Sequence, residues 1–139
     1  MPAKNIYHDA VIDALKADGW TITHDPLSLK VGTRSLHVDL GAERLPLGAE
    51  RDGEKIAVEV QSFTGPSPVA DLQQAVGQFT MYRLILADQQ PDRTLFVAIP
   101  QRVYDGILSE ELGAIVLAGA NLRVLVFDPA AREVIQWVN

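Results

Sequence analysis

The chain has 139 residues, 47% hydrophobic and 22% charged, which matches one globular domain over residues 1–139 and excludes a disordered or fibrous protein. Its formal net charge of −6, with basic residues scattered singly, argues against nucleic-acid binding through electrostatics alone. The absence of cysteine excludes disulfides and thiolate metal sites. The sequence contains neither an apolar signal-peptide core nor an apolar run of the roughly 18–20 residues that span a bilayer. We therefore expect a cytoplasmic protein without a membrane segment.

The first half of the chain predicts one helix followed by antiparallel strands. Apolar residues recur at helical spacing over residues 4–18. Short β-rich or alternating runs follow at residues 20–24, 27–31 and 35–40. Residues 44–50 predict a further, irregular strand because they contain proline and glycine. The Asp52-Gly53 turn signal predicts that this strand forms a hairpin with residues 55–62.

The second half alternates between helix and strand. Ser67 is a suitable N-cap and Pro68 suits the first helical position, so a helix should run from there to about residue 88. Residues 94–100 are almost continuously apolar and predict a strand covered on both faces. A helix and two strands follow at residues 110–119, 122–127 and 133–138. This order predicts one α/β domain with a mixed sheet.

Two carboxylates interrupt apolar strands in the same way. Glu59 and Gln61 share one face of the run KIAVEVQSF, and Asp39 alternates with large apolar residues in SLHVDL. A buried carboxylate needs a partner, and two adjacent carboxylates repel unless a cation lies between them. Oxygen ligands with open water positions favour Mg²⁺ or Mn²⁺. The alternative is that each acid lies on the solvated face of a half-exposed sheet.

Polar residues also follow one line on the long predicted helix. Gln74, Gln78 and Tyr82 recur every four residues, so they form one stripe that faces the strand acids if the apolar stripe packs on the sheet. His8 adds an imidazole near the start of the first helix. The alternatives are an ordinary helix flank and a structural histidine.

The order of these elements and residues resembles the PD-(D/E)xK nuclease superfamily, whose core is a helix, three antiparallel strands, a helix and a further strand. The resemblance implies a restriction-endonuclease-like α/β fold with a mixed central sheet flanked by helices. It also implies that Asp39, Glu59 and the backbone carbonyl of Val60 hold Mg²⁺ or Mn²⁺. The stretch Gln78-x-x-x-Tyr82 matches a helix motif of some branches, and His8 matches a first-helix position where some relatives carry an acid.

A closer resemblance covers essentially the whole chain. The stretches DGWTITHDPL, KIAVEVQSF and QFTMYR are similar to the XisH family, a small, mainly cyanobacterial family named as a controlling factor for excision of the fdxN element. The resemblance implies a role in a programmed DNA rearrangement, with DNA and a XisI-like protein as partners. It leaves the oligomeric state open, a homo-oligomer included.

Two positions decide what the resemblance implies for catalysis. Gln61 stands where family members usually carry a lysine that stabilises the attacking water and the developing phosphate charge, and an amide has no positive charge. The first acid has two candidates. A tight hairpin turning at residues 52–53 places Glu43 closer to Glu59, whereas a bulge brings Asp39 in. We prefer Asp39, with Glu43 as the second candidate.

Three functions are therefore open. The first is a metal-dependent endodeoxyribonuclease. The second is a catalytically weak or inactive nuclease fold that acts as a regulatory or binding subunit with a XisI-like protein and a recombinase, which Gln61 and the acidic net charge favour. The third is an α/β domain whose acids merely face solvent.

Overall fold

The computed structural model describes residues 5–45 and 53–139. Its helices are α1 (His8–Ala17), α2 (Pro68–Gln89), α3 (Gln101–Tyr104) and α4 (Glu111–Gly119), with a 3-10 turn at Ile107–Ser109. Its strands are β1 (Thr21–His24), β2 (Leu27–Val31), β3 (Arg34–Val38), β4 (Leu40–Arg44), β5 (Glu54–Val60), β6 (Arg93–Pro100), β7 (Val124–Asp128) and β8 (Glu133–Val138). None of the helices in this part of the chain is long and apolar enough to cross a bilayer.

Six of the described strands form one mixed sheet in the order β1-β4-β5-β6-β7-β8, while β2 and β3 form a separate two-stranded sheet. The neighbours β5, β6 and β7 run parallel, and the remaining pairs of the large sheet are antiparallel. Parallel neighbours require a crossover, and α2 supplies it between β5 and β6. The expected α/β fold, a mixed central sheet flanked by helices, is confirmed.

The central strands are buried on both faces because each face packs against a different apolar cluster. Successive side chains of a strand point to opposite faces. Ala57 of β5 belongs to the cluster that contains Phe79 of α2, whereas Val58 belongs to the cluster that contains Leu15 of α1. Glu59 has the same parity as Ala57, so the alternation directs it toward the α2 face.

Helix α2 begins as its sequence predicts. Ser67 is extended, and its side chain accepts a hydrogen bond from the Ala70 N–H at 3.2 Å, with Pro68 in the first turn. Leu72, Phe79 and Leu86 are buried against the sheet, as a helical apolar stripe requires. This helix therefore lies along the face toward which Glu59 points.

The connection between β4 and β5 differs from the predicted hairpin. β4 ends at Arg44, and residues 45–53 join it to β5 instead of a two-residue turn at 52–53. Most of the predicted strand over residues 44–50, together with Asp52, lies outside the described residues. A turn signal is local, whereas the register of a strand is set by which side chains the two faces must bury. In the described chain the antiparallel partner of β5 is Leu40–Arg44, whereas the prediction gave that place to residues 44–50.

The predicted strand at residues 35–40 is divided in two. The chain bends at Asp39, so β3 pairs with β2 and β4 pairs with β1 and β5. One nearly continuous extended run thus contributes to two sheets, and Asp39 lies at the corner between them.

Candidate functional site

The register of β4 and β5 places Asp39 across from Glu59. Leu40 pairs with Val58 without a bulge in this pairing, so the next residues in each direction are the two acids. The Val60 N–H donates a hydrogen bond to Asp39 Oδ2 at 2.8 Å. Because β4 starts only after the bend, the carboxylate of Asp39 supplies the acceptor that a longer strand would have offered. The pairing of Arg44 with Glu54, with no bulge between β4 and β5, brings Asp39 to the end of β5.

Glu59 is buried in surroundings that disfavour its charge. Its side chain is 7% exposed, and Oε2 receives no hydrogen bond within the described chain. Burial, then the hydrogen bond with Asp39 and the negative charge of Asp39, raises the pKa of Glu59 to about 10. At neutral pH Glu59 therefore keeps its proton unless a cation lies beside it.

Tyr82 extends this acid pair on the side of α2. It is buried in the cluster that contains Phe79. Burial, followed by the charges of Glu59 and Asp39, raises the pKa of Tyr82. Gln74, by contrast, is exposed, so the predicted polar stripe is not uniform: its last member packs inside the core and its first faces solvent.

Gln78 contacts the residue that replaces the expected lysine. Gln61 follows β5, and its side-chain amide Nε2 donates a hydrogen bond to Gln78 Oε1. The backbone N–H of Gln61 continues the sheet by donating to the Ala98 carbonyl at 3.0 Å. Two residues singled out in the sequence are thus in contact, and the amide that stands in the lysine position is held by a neighbour on α2.

The side chain of His8 contacts Asp25. The ring Nε2 lies 2.7 Å from Asp25 Oδ1, and the residue is buried. Three residues earlier, Asn5 donates from Nδ2 to the carbonyl of Val60 at 3.2 Å. The sequence interpretation missed Asn5 and Asp25, since neither stands in a periodic pattern that marks it.

Glu43, the second candidate for the first acid, lies elsewhere. It pairs with Lys55 across the sheet, and its Oε1 is 3.8 Å from Arg93 Nη2. Four residues of extended strand separate it from Asp39, which corresponds to roughly 13 Å. The structure does not bring it to Glu59.

Comparison with known proteins bears on this site. Residues 1–135 match the family model described as XisH protein. The chain belongs to the XisH family. A comparison with curated proteins gives no match.

Two solved structures are similar to this XisH chain over nearly its whole length. One is an XisH family protein from Nostoc punctiforme PCC 73102, 36% identical with a TM-score of 0.87, covering 97% of this chain and 100% of that chain. The other is a fdxN element excision controlling factor protein from Anabaena variabilis, 36% identical with a TM-score of 0.86, covering 98% of this chain and 100% of that chain.

The donors of the acid pair decide which cation this XisH chain could hold. Within residues 5–45 and 53–139, no group of three or more His, Cys, Asp and Glu is placed to hold a metal ion. Mg²⁺, however, is commonly bound through one or two carboxylates while it keeps several waters. Three oxygen donors of this kind are available. They are a carboxylate oxygen of Asp39, Oε2 of Glu59, which receives no hydrogen bond in the described chain, and the Val60 carbonyl, which has a second lone pair. The residues therefore fit Mg²⁺ or Mn²⁺ better than zinc.

Proposed function

We propose that this XisH-family chain is a nuclease-like factor in programmed DNA rearrangement by element excision, and that it is a Mg²⁺- or Mn²⁺-dependent DNA phosphodiesterase. The observation that carries the proposal is the buried Glu59 beside Asp39. A buried carboxyl group beside a second acid is costly to ionise, and a divalent cation would offset that cost. Perturbed acids of this kind are more frequent in functional sites than elsewhere.

Two further observations support the proposal. A structural relative is described as a fdxN element excision controlling factor protein. In addition, the chain order resembles the PD-(D/E)xK nuclease pattern: a helix, antiparallel strands with Glu59 on one and Asp39 just before another, a helix with Gln78 and Tyr82, and a buried strand.

Each residue has a role in this proposal. Asp39, Glu59 and the Val60 carbonyl would hold the cation, which when bound supplies positive charge at the scissile phosphate. Gln61 would donate a hydrogen bond to the attacking water or to a phosphate oxygen, and Gln78 would orient its amide. Tyr82, buried in the cluster that contains Phe79, would limit how far the acid pair can move toward α2.

A cleavage assay tests the proposal. The purified chain is incubated with duplex and branched DNA in Mg²⁺ or Mn²⁺, beside Glu59→Gln and the matched control Glu54→Gln, an exposed acid on the same strand. We expect Glu59→Gln to lower the cleavage rate by roughly 100-fold or more, since removing one preorganised electrostatic group commonly costs that much. Glu54→Gln should cleave as the wild type does. Equal cleavage by wild type and Glu59→Gln would refute the assignment.

A second candidate function is a catalytically weak nuclease fold that acts as a regulatory or binding subunit. The contact that favours it is the hydrogen bond between Gln61 and Gln78, because the position of the expected lysine then carries no charge and its amide already has a partner. In this case the chain would act with DNA, a XisI-like protein and a recombinase.

The two candidates differ in measurable ways. A regulatory subunit should bind a XisI-like protein in a stable complex and show no heat of Mg²⁺ binding by calorimetry. For an active nuclease, Gln61→Lys should raise the metal-dependent rate by about tenfold or more, because a positive charge returns beside the developing anion. A Gln61→Lys chain that stays inactive while the complex forms would favour the regulatory function.

A further inference from the structure

A concavity with aromatic walls lies away from the acid pair. It has a volume of about 450 Å³ and lies at the start of β5, on the face that packs against α1. Its lining includes Trp20, Ile56, Thr94, Phe96, Arg123 and Trp137. Five residues of extended strand separate Glu54, at its edge, from Glu59, which is roughly 16 Å, and the two sites face opposite sides of the sheet. The nuclease-like function does not use this cavity.

The aromatic walls come from opposite edges of the sheet. Trp20 immediately precedes β1, and Trp137 lies on β8, yet their rings are 5.8 Å apart. Trp137 also packs edge-on against Phe96 of β6, with the two ring centroids 4.9 Å apart. Trp20 and Phe96 are buried, whereas Trp137 remains partly exposed at the cavity. Trp137 therefore offers an aromatic surface that a planar ring can reach, with Phe96 packed against it.

One carboxylate holds these walls in place. Asp18 Oδ2 accepts a hydrogen bond from the indole Nε1–H of Trp20 at 3.2 Å and from that of Trp137 at 3.3 Å. Arg44 donates to the Asp18 carbonyl at 3.1 Å and lies over the Trp20 ring, with its guanidinium carbon 4.4 Å from the ring centre. The rings are thus oriented before any ligand arrives, which lowers the entropic cost of binding.

Cationic side chains surround the same cavity in a chain that is acidic overall. Arg44 is paired with Glu54 at 3.3 Å, and Lys55 with Asp92 at 3.4 Å. Arg123 lines the cavity and makes no ion pair with any residue of the described chain. The guanidinium fork of arginine matches phosphate oxygens and stacks on aromatic faces. The charge still available at this cavity is therefore that of Arg123.

We infer that this cavity binds a nucleotide, with its base against Trp137 and its phosphate at Arg123. Sequence-tolerant sites for nucleotides combine stacking aromatic rings with cationic side chains in this way. The volume lies in the range of small-ligand pockets. A free nucleoside monophosphate and the terminal nucleotide of a DNA strand present the same chemistry.

Intrinsic fluorescence tests this site directly, because both tryptophans of the chain line it. Adenosine monophosphate is titrated into the full chain, with correction for its absorbance, and the two indole N–H signals are followed by NMR. We expect a saturable change in both readouts. Adenosine and ribose phosphate, which each lack one half of the ligand, should bind at least about tenfold more weakly, a loss of one good contact.

Matched variants show whether the nucleotide binds at Arg123 and nowhere else on the chain. Arg123→Gln should weaken adenosine monophosphate binding by about tenfold or more, the effect of one charge-assisted hydrogen bond. Arg34→Gln, a change of the same charge at an exposed residue of β3, should leave the affinity unchanged. Glu59→Gln should also bind normally, so failure of the nuclease proposal would not affect this one.

Three results would overturn the inference: no saturable response, an Arg123→Gln chain with wild-type affinity, or inorganic phosphate binding as tightly as adenosine monophosphate. A short single-stranded oligonucleotide with a terminal phosphate distinguishes the source of the ligand. If it binds more tightly than the free nucleotide through the same Arg123, the site takes a DNA terminus. If it binds more weakly, the site takes a free nucleotide.

Discussion

The two ends of strand β5 hold charged side chains in opposite circumstances. At its start, Lys55 lies 3.4 Å from Asp92, and the side chains are 36% and 67% exposed. At its end, Glu59 is 7% exposed and meets a second acid, Asp39. The first arrangement joins opposite charges in solvent, whereas the second brings a buried carboxyl group, protonated at neutral pH, against a second, half-buried acid. Both depend on the same strand and the same neighbouring strands.

The two arrangements contribute differently to the stability of the fold. An exposed ion pair contributes between about 0 and 1 kcal/mol to stability, so the start of β5 changes little if its pair is lost. A buried carboxyl group instead opposes folding unless it is protonated or joined by a cation. Glu59 is buried at the end of the strand despite this cost, and for that reason we place the proposed cation site there.

The largest predicted effect sharpens this comparison at Glu59. Its folded-state pKa of about 10 lies above the ordinary 4.5, so the folded chain keeps a proton that the unfolded chain releases. The stabilisation is thus fully present below the unfolded pKa and is lost as pH rises toward the folded one. Without metal, we expect the free energy of unfolding to fall by up to about 1.4 kcal/mol per pH unit from this group. Denaturant unfolding of wild type and Glu59→Gln across this window measures it.

The control for this prediction is Glu54→Gln, which changes an exposed acid of the same strand. Glu54→Gln should keep the wild-type dependence of the free energy of unfolding on pH. Glu59→Gln should lose the part of that dependence that comes from Glu59. Added Mg²⁺ should stabilise the wild-type chain at alkaline pH and leave Glu59→Gln unaffected. Parallel curves for wild type and Glu59→Gln would show that Glu59 titrates as an ordinary carboxyl group and would remove the physical reason for a cation.

The sequence predicts the strand β5 and the helix α2 better than it predicts which residues pair across the sheet. Alternation in β5 and helical spacing in α2 are local properties of the chain, so the strand, the helix and the Ser67 N-cap could be predicted. The same alternation correctly placed Glu59 and Gln61 on one face. It could not decide between Asp39 and Glu43, because that choice depends on the length of the connection between two strands.

Other features had no local signal at all. Asn5 reaches Val60 from 55 positions away in the chain, and Asp18 joins two tryptophans from opposite edges of the sheet. Such contacts follow from tertiary packing, which periodicity does not encode. The sequence prediction counts Tyr82 in a polar stripe because its side chain ends in a hydroxyl. Its aromatic ring, however, is buried in the core.

A smaller effect is predicted at the start of β5, where Asp18→Ala removes the acceptor of both indole N–H groups. Each donor would then lie near the core without a partner, so we expect a loss of about 1–3 kcal/mol in the free energy of unfolding. Tryptophan emission should shift to the red as the rings become wetter. The control is Asp13→Ala, whose carboxylate pairs with Arg132 at the surface. Similar losses in both variants would mean that Asp18 acts only as a surface charge.

The smallest predicted effect tests whether the ion pair at the start of β5 contributes as little to stability as its exposure implies. Lys55→Met keeps most of the apolar stem and removes the charge that faces Asp92. Because the pair is exposed, we expect the free energy of unfolding to fall by about 0.2–1 kcal/mol, and the difference to disappear at about 1 M salt, where the screening length is near 3 Å. Denaturant unfolding at low and high salt measures both. A loss above about 2 kcal/mol that persists in salt would contradict the comparison, because the start of β5 would then depend on its charges as strongly as its end does.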